Sequence, residues 1–201
     1  MKRIVSLFTL LLFVCILSAC NKEEQVQEPG LKQVVNTIAE SELTEREKSL
    51  LSATSEVSFV FDFNVDETFK QASVWVDRYE FGQLEVENIN HLTTTIDKKG
   101  LITFFTTQVP GNEDKSIFKT FANGSGSTTL QKMERAKQGY WESNPNTEIP
   151  MSGEKVLAVI IFSNGNGMSS LPEDFYEDVE NNLDQIKDYD AVYVLRSEFI
   201  K

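Results

Sequence analysis

Asp62, Asn64 and Asp66 stand two residues apart, and D-x-N-x-D is the spacing with which a calcium loop opens, its oxygens set to ligate a hard cation. Such a loop also needs Gly at its sixth position and Glu at its twelfth, where this chain has Glu67 and Ser73. Strand alternation brings the same three residues to one wet face, so no metal site is assigned. Gly165 and Gly167 precede a predicted helix N-terminus, a setting in which backbone amides can hold an anion. A dinucleotide fingerprint would want Gly in place of Ser170, and Met168-Ser169 is not the Lys-Ser or Lys-Thr pair of a phosphate loop. His91 is the only histidine. No G-x-S-x-G presents a serine to it, and one histidine without a thiolate is a poor zinc set. With 31 acids in the chain, carboxylate pairs occur everywhere, and a glycosidase argument needs geometry. No catalytic residue and no cofactor is assigned.

The aromatics offer a different chemistry. Trp75 and Tyr79 have the spacing of one strand face, and Trp75 is assigned to the core. Tyr140 and Trp141 lie in Gly139 to Asn146, a polar, turn-rich segment poorly suited to burying two large rings. They form the candidate ligand-stacking pair, since each brings a broad apolar face and a polar tip.

The elements that must position these residues follow from periodicity. Leu31, Val34, Val35 and Ile38 recur at helical spacing. Thr44-Glu45-Arg46-Glu47 has the capping-box pattern, predicting a second short helix with Leu50 and Leu51 inward. At Val57 the period changes to two, with Val57, Phe59, Phe61 and Phe63 on one buried face. Ser73 to Phe81 predicts a strand ending in a turn at Gly82, and Asp97 to Gly100 has hairpin chemistry before a strand from Leu101 to Gln108. Asn123-Gly124-Ser125-Gly126 predicts a further hairpin between Ser116 to Ala122 and Ser127 to Met133. Val156 to Phe162 is a nearly unbroken apolar run, hence a strand buried on both faces. A helix from Pro172 to Lys187 then places Phe175, Val179, Leu183 and Ile186 on one stripe, before a last strand, Ala191 to Leu195. That order is compatible with a crossover connection. The fold class expected is α+β, mainly antiparallel β (a sandwich or curved sheet) with one amphipathic C-terminal helix and short N-terminal helices.

The 201 residues carry a formal charge of −12, with 40% hydrophobic and 10% aromatic residues. That composition fills one core and argues against disorder. The acidic balance repels phosphates and anionic lipid heads, so nucleic acid is not expected as a partner. Cys15 and Cys20 are the only cysteines. Lys2 and Arg3 open the chain, and Ile4 to Ile16 is apolar except for Ser6 and Thr9. That run is roughly 13 residues, against about 20 for a span, so it reads as an export segment.

Leu17-Ser18-Ala19-Cys20 resembles the lipobox of bacterial lipoproteins. The resemblance implies cleavage after Ala19 by lipoprotein-processing enzymes, acylation of Cys20, and loss of Cys15. Acyl chains then tie the domain to the membrane, each buried methylene contributing about 0.8 kcal/mol. Residues 1–19 are thus expected as signal peptide, 20–30 as anchor and tether, and 31–201 as one extracytoplasmic domain. The polar stretch Asn21 to Gly30 has a coil reach of about 17 to 19 Å. Asn21 follows the cysteine where an inner-membrane retention signal would have Asp, and lysine outnumbers arginine, as in AT-rich single-membrane hosts. The expected location is the outer face of the cytoplasmic membrane.

Asp62 to Asp66 (DFNVD), Trp75 to Gly82 (WVDRYEFG), Met168 to Leu171 (MSSL) and Tyr189 to Leu195 (YDAVYVL) resemble runs in small uncharacterised lipoproteins of Bacillus-type Firmicutes. The resemblance implies localisation and host type and carries no activity. Two functional classes follow: a non-enzymatic lipoprotein binding an envelope protein, peptide or glycan, and, as the alternative, an extracytoplasmic hydrolase using carboxylates. Two carboxylates converging in one cleft would favour the second.

Overall fold

Strand β2 (Val57–Asn64) carries Val57, Phe59, Phe61 and Phe63 into the interior, as its alternation requires. The computed structural model describes residues 35–133, 136–165 and 167–201, all within the unit Val34–Lys201. The export segment, Cys20, the tether and residues 31–34 lie outside the described residues. The order after β1 (Thr37–Glu40) is α1 (Glu45–Thr54), β2, β3 (Gln71–Glu80), β4 (Gln83–Thr95), β5 (Lys99–Val109), β6 (Asn112–Ala122) and β7 (Ser125–Lys132). Then come β8 (Gln138–Ser143), β9 (Ile149–Pro150), β10 (Lys155–Ser163), α2 (Glu173–Glu177), a 3-10 turn (Leu183–Gln185) and β11 (Ala191–Ile200).

The fold is α+β and mainly antiparallel β. Among the described residues one sheet runs β7-β6-β5-β2-β1-β9 and the other β4-β3-β11-β10-β8. Their inner faces make the main core, where Phe104 meets Phe118 edge to face at 5.5 Å and Phe118 meets Tyr193 of the opposite sheet at 5.5 Å. A second core lies on the outer face of the five-stranded sheet, where Tyr79, Val159, Ile161, Val192 and Val194 are covered by the segment before β11. Asn123-Gly124 makes the tight β6–β7 turn, both residues having positive φ, as the twist of a two-residue hairpin requires.

Several expected elements take another form. Thr37–Glu40 is a strand rather than the end of a helix: Ile38 is buried opposite Phe63 while Val35 is exposed, a two-residue alternation. Helix α1 has its capping box, Thr44 to Glu47, but buries no residue, and Leu50 is 59% exposed instead of inward. Segment Asp97 to Gly100 is no hairpin, because β4 pairs with β3 while β5 pairs with β2 and β6, so the chain changes sheets there. The 172–187 helix is reduced to α2 and the 3-10 turn. The Asp178 side chain accepts from the Asn181 amide, the Asn182 side chain donates to the carbonyls of Asp174 and Asp178, and the Asn182 amide turns to the Val179 carbonyl, so the helical ladder ends at the bond from Asp178 N–H to Asp174. No crossover results, since β10 and β11 pair antiparallel.

Gly100 is needed for a reason other than turn geometry. It pairs with Phe63, whose ring lies across it, and a methyl group there would run into that ring. We expect Gly100→Ala to destabilise the fold by about 1 to 3 kcal/mol, the usual cost of overpacking, measured by urea denaturation; Gly111→Ala, with open space around it, carries only the positive-φ penalty.

Candidate functional site

Tyr140 and Trp141 lie on strand β8, not in a loop, and neighbouring residues of a strand face opposite ways. Tyr140 packs half-buried against the outer core, and its hydroxyl donates to Glu142 Oε2 at 2.8 Å, a bond that raises its pKa. Glu142 Oε1 also accepts from the Leu171 amide at 2.7 Å. Trp141 faces the other way and is 48% exposed. The two rings therefore do not form one stacking surface, and Trp141 borders a cavity.

That cavity is a cleft of about 230 Å³ at one end of the sandwich. Its walls come from both sheets: Val57, Thr106 and Ser116 from one, Phe162 and Trp141 from the other, with Glu56 just ahead of β2 and Met133 and Ala136 beyond β7. Thr106 stands opposite Val57 in the β2–β5 ladder, on the inward face that Ile102 and Phe104 define. It is fully buried, and its Oγ1 has no hydrogen-bond partner. A hydroxyl held dry and unpaired carries a desolvation cost of about 1 to 3 kcal/mol. It is the kind of group that a ligand atom would satisfy. Alternation marks Thr106 as the polar residue at an apolar position of its strand, a signal present in the sequence that the motif reading passed over.

A second depression, of about 300 Å³, is polar and centred on Arg196. Arg196 Nε lies 2.9 Å from Asp77 Oδ2, its Nη2 donates to the Tyr79 hydroxyl at 2.7 Å and to Glu180 at 2.9 Å, and Nη1 is 3.6 Å from Glu154. Burial works against the guanidinium charge, but Tyr79, Asp77 and Glu180 outweigh it and leave the Arg196 pKa raised. Burial also pushes the Tyr79 hydroxyl up to about 12. Asp77 further accepts from the Trp75 indole and the Asn88 amide. Asp77, Glu180 and Glu154 are thus gathered on one cation, and Glu87 also borders the depression.

Other sequence candidates sit in structural settings. His91 Nε2 is 3.0 Å from Ser73 Oγ, and its ring meets Trp75 edge to face at 5.9 Å. Ser73 lies mid-strand between β4 and β11, where ladder pairing consumes the backbone donors an oxyanion would need. Asp66 is tied to Thr68 and then to Asn36, which together hold its carboxyl down at about 2. It does not join Asp62 and Asn64, which belong to β2. Among the described residues no three His, Cys, Asp or Glu side chains gather as a metal site.

These features define an antiparallel β-sandwich domain with a side-chain-sized cleft at one end and a salt-bridged arginine on an outer face. A family model of the YgaN domain matches residues 37–199, from the start of β1 almost to the end of β11, and the chain belongs to the YgaN domain family. No curated protein and no solved structure matches the chain.

Proposed function

We propose that the protein is a lipid-anchored binding module on the outer face of the cytoplasmic membrane, non-enzymatic, with the Trp141 cleft as its ligand site. The buried, unpartnered Thr106 hydroxyl at the cleft wall carries the reading. Support for the anchor comes from the charged start, the short apolar run and Leu17-Ser18-Ala19-Cys20. Among the described residues no helix is long and apolar enough to cross a membrane.

The strand directions give the proposal a geometry. Thr37, the start of β1, pairs with Asn64 at one end of β2, whereas the cleft lies at Val57, the other end. At roughly 3.4 Å per residue the two ends are about 24 Å apart. A chain anchored ahead of Thr37 enters the sandwich at the end of β2 away from the cleft.

Replacing Cys20 with Ala is expected to abolish incorporation of radioactive palmitate and to release the protein from the membrane fraction. Equal labelling of variant and parent would sink the anchor. The binding part of the proposal is tested with the cleft probes below.

A further inference from the structure

We infer that the occupant of the Trp141 cleft is one tyrosine side chain of an extended peptide that pairs with the edge of β8; this rests on the binding reading just given. Three independent features converge on it. The cleft, about 230 Å³, is below the roughly 300 to 1,000 Å³ of pockets that hold drug-sized ligands, so it suits one large side chain rather than a lipid tail or an oligosaccharide.

Its chemistry selects the side chain. Val57, Met133, Phe162 and Trp141 make apolar walls for a ring, Glu56 and Ser116 also border the cleft, and Thr106 in its wall has a buried hydroxyl with no partner. A phenol satisfies both, since its body is apolar and its hydroxyl donates and accepts. Phenylalanine would fill the space and leave Thr106 unpaired.

The third feature says how the ring is delivered. Among the described residues strand β8 ends the five-stranded sheet, paired with β10 on one side only. An added strand brings the residue opposite Trp141 to a Cβ separation of about 4.5 to 5.5 Å, with its side chain on the same face. That face is the cleft mouth. A peptide tyrosine in that register therefore enters beside the Trp141 indole, the backbone pairing of β-strand addition supplying affinity and the pocket supplying specificity. The −12 charge of the chain favours a peptide that is not acidic.

The test uses the whole chain in lipid nanodiscs, with the Trp141 indole N–H signal, assigned by its loss in Trp141→Phe, as reporter and calorimetry for affinity. The probes are p-cresol, the peptide acetyl-Thr-Val-Tyr-Val-Lys-amide, its Phe analogue, and its analogue with both valines replaced by proline. We expect saturable shifts of the Trp141 signal with p-cresol, tighter binding of the Tyr peptide, about three- to tenfold weaker binding of the Phe analogue, and loss of binding with proline. Thr106→Val should erase the Tyr-over-Phe difference. The apo variant should melt no lower than the parent, because an unpaired buried hydroxyl has been removed. If p-cresol saturates the cleft but the Tyr peptide binds no better, or the proline analogue binds equally, the peptide inference is overturned and the cleft reading stands. Equal Tyr and Phe binding overturns the role given to Thr106 and the choice of tyrosine. No shift of the Trp141 signal with any probe overturns both.

Discussion

Arg196→Ala is expected to lower the unfolding free energy by about 3 to 5 kcal/mol, read from urea denaturation, because it strands a buried carboxylate without its cation. Both members of the closest pair are nearly inaccessible: the Arg196 and Asp77 side chains are 9% and 10% exposed. Asp77 would keep the Trp75 indole and the Asn88 amide as donors, yet its charge would remain in a poorly solvated place. The loss also reaches Tyr79, whose hydroxyl accepts from Arg196 and donates to Glu180. Two controls separate this from loss of surface charge. Glu154→Gln removes an exposed partner 3.6 Å away and should change stability by less than about 1 kcal/mol. Adding Asp77→Asn to Arg196→Ala should cost less than the sum of the single changes, since the two share one interaction. Raised salt should leave the Arg196→Ala effect almost intact, as buried pairs are screened little.

The Arg196 cluster also marks how far the sequence could be read. Val192, Val194 and Arg196 alternate along β11 onto the outer face of the sheet, and Trp75, Asp77 and Tyr79 do so along β3. Each pattern is visible alone. The pairing of Arg196 with Trp75 in the β11–β3 ladder, which sets the guanidinium beside Asp77, is a long-range register that no local period encodes. The same distinction runs through the fold. Strand β2, the buried β10 and the Asn123-Gly124 hairpin were legible because alternation, apolar run and turn residues are local. The Asp97 to Gly100 link joins two sheets instead of closing a hairpin because turn chemistry tells how the chain bends and not which sheet the next strand joins. Strand β8 looked like a loop because an edge strand tolerates polar residues; once it is a strand, Tyr140 and Trp141 must part, and only Trp141 reaches the cleft.

The covering segment shows the converse, a stripe that was right on a helix that was not. Phe175, Val179 and Ile186 are buried on the outer face of the five-stranded sheet, as their spacing indicated, although Asp178, Asn181 and Asn182 break the helix between them. Burial is set by the apolar face that must be covered, and a broken segment covers it as well as a continuous one. Phe175→Ala should therefore cost about 3 to 5 kcal/mol despite lying in a helix of one turn, since its ring is fully buried and meets Tyr176 edge to face at 5.9 Å. Leu50→Ala, in the longer helix α1, should stay within about 0.5 kcal/mol because Leu50 is exposed. Against a typical total of roughly 5 to 15 kcal/mol, the first change brings the domain near its unfolding threshold and the second leaves it untouched. Equal midpoints for the two variants in urea would mean that the segment does not hold the outer face of the sheet. A loss confined to Phe175→Ala, with hydrogen exchange quickening at Val159, Ile161 and Val194, would place the damage in the outer core and spare the cleft on the other side of the sheet.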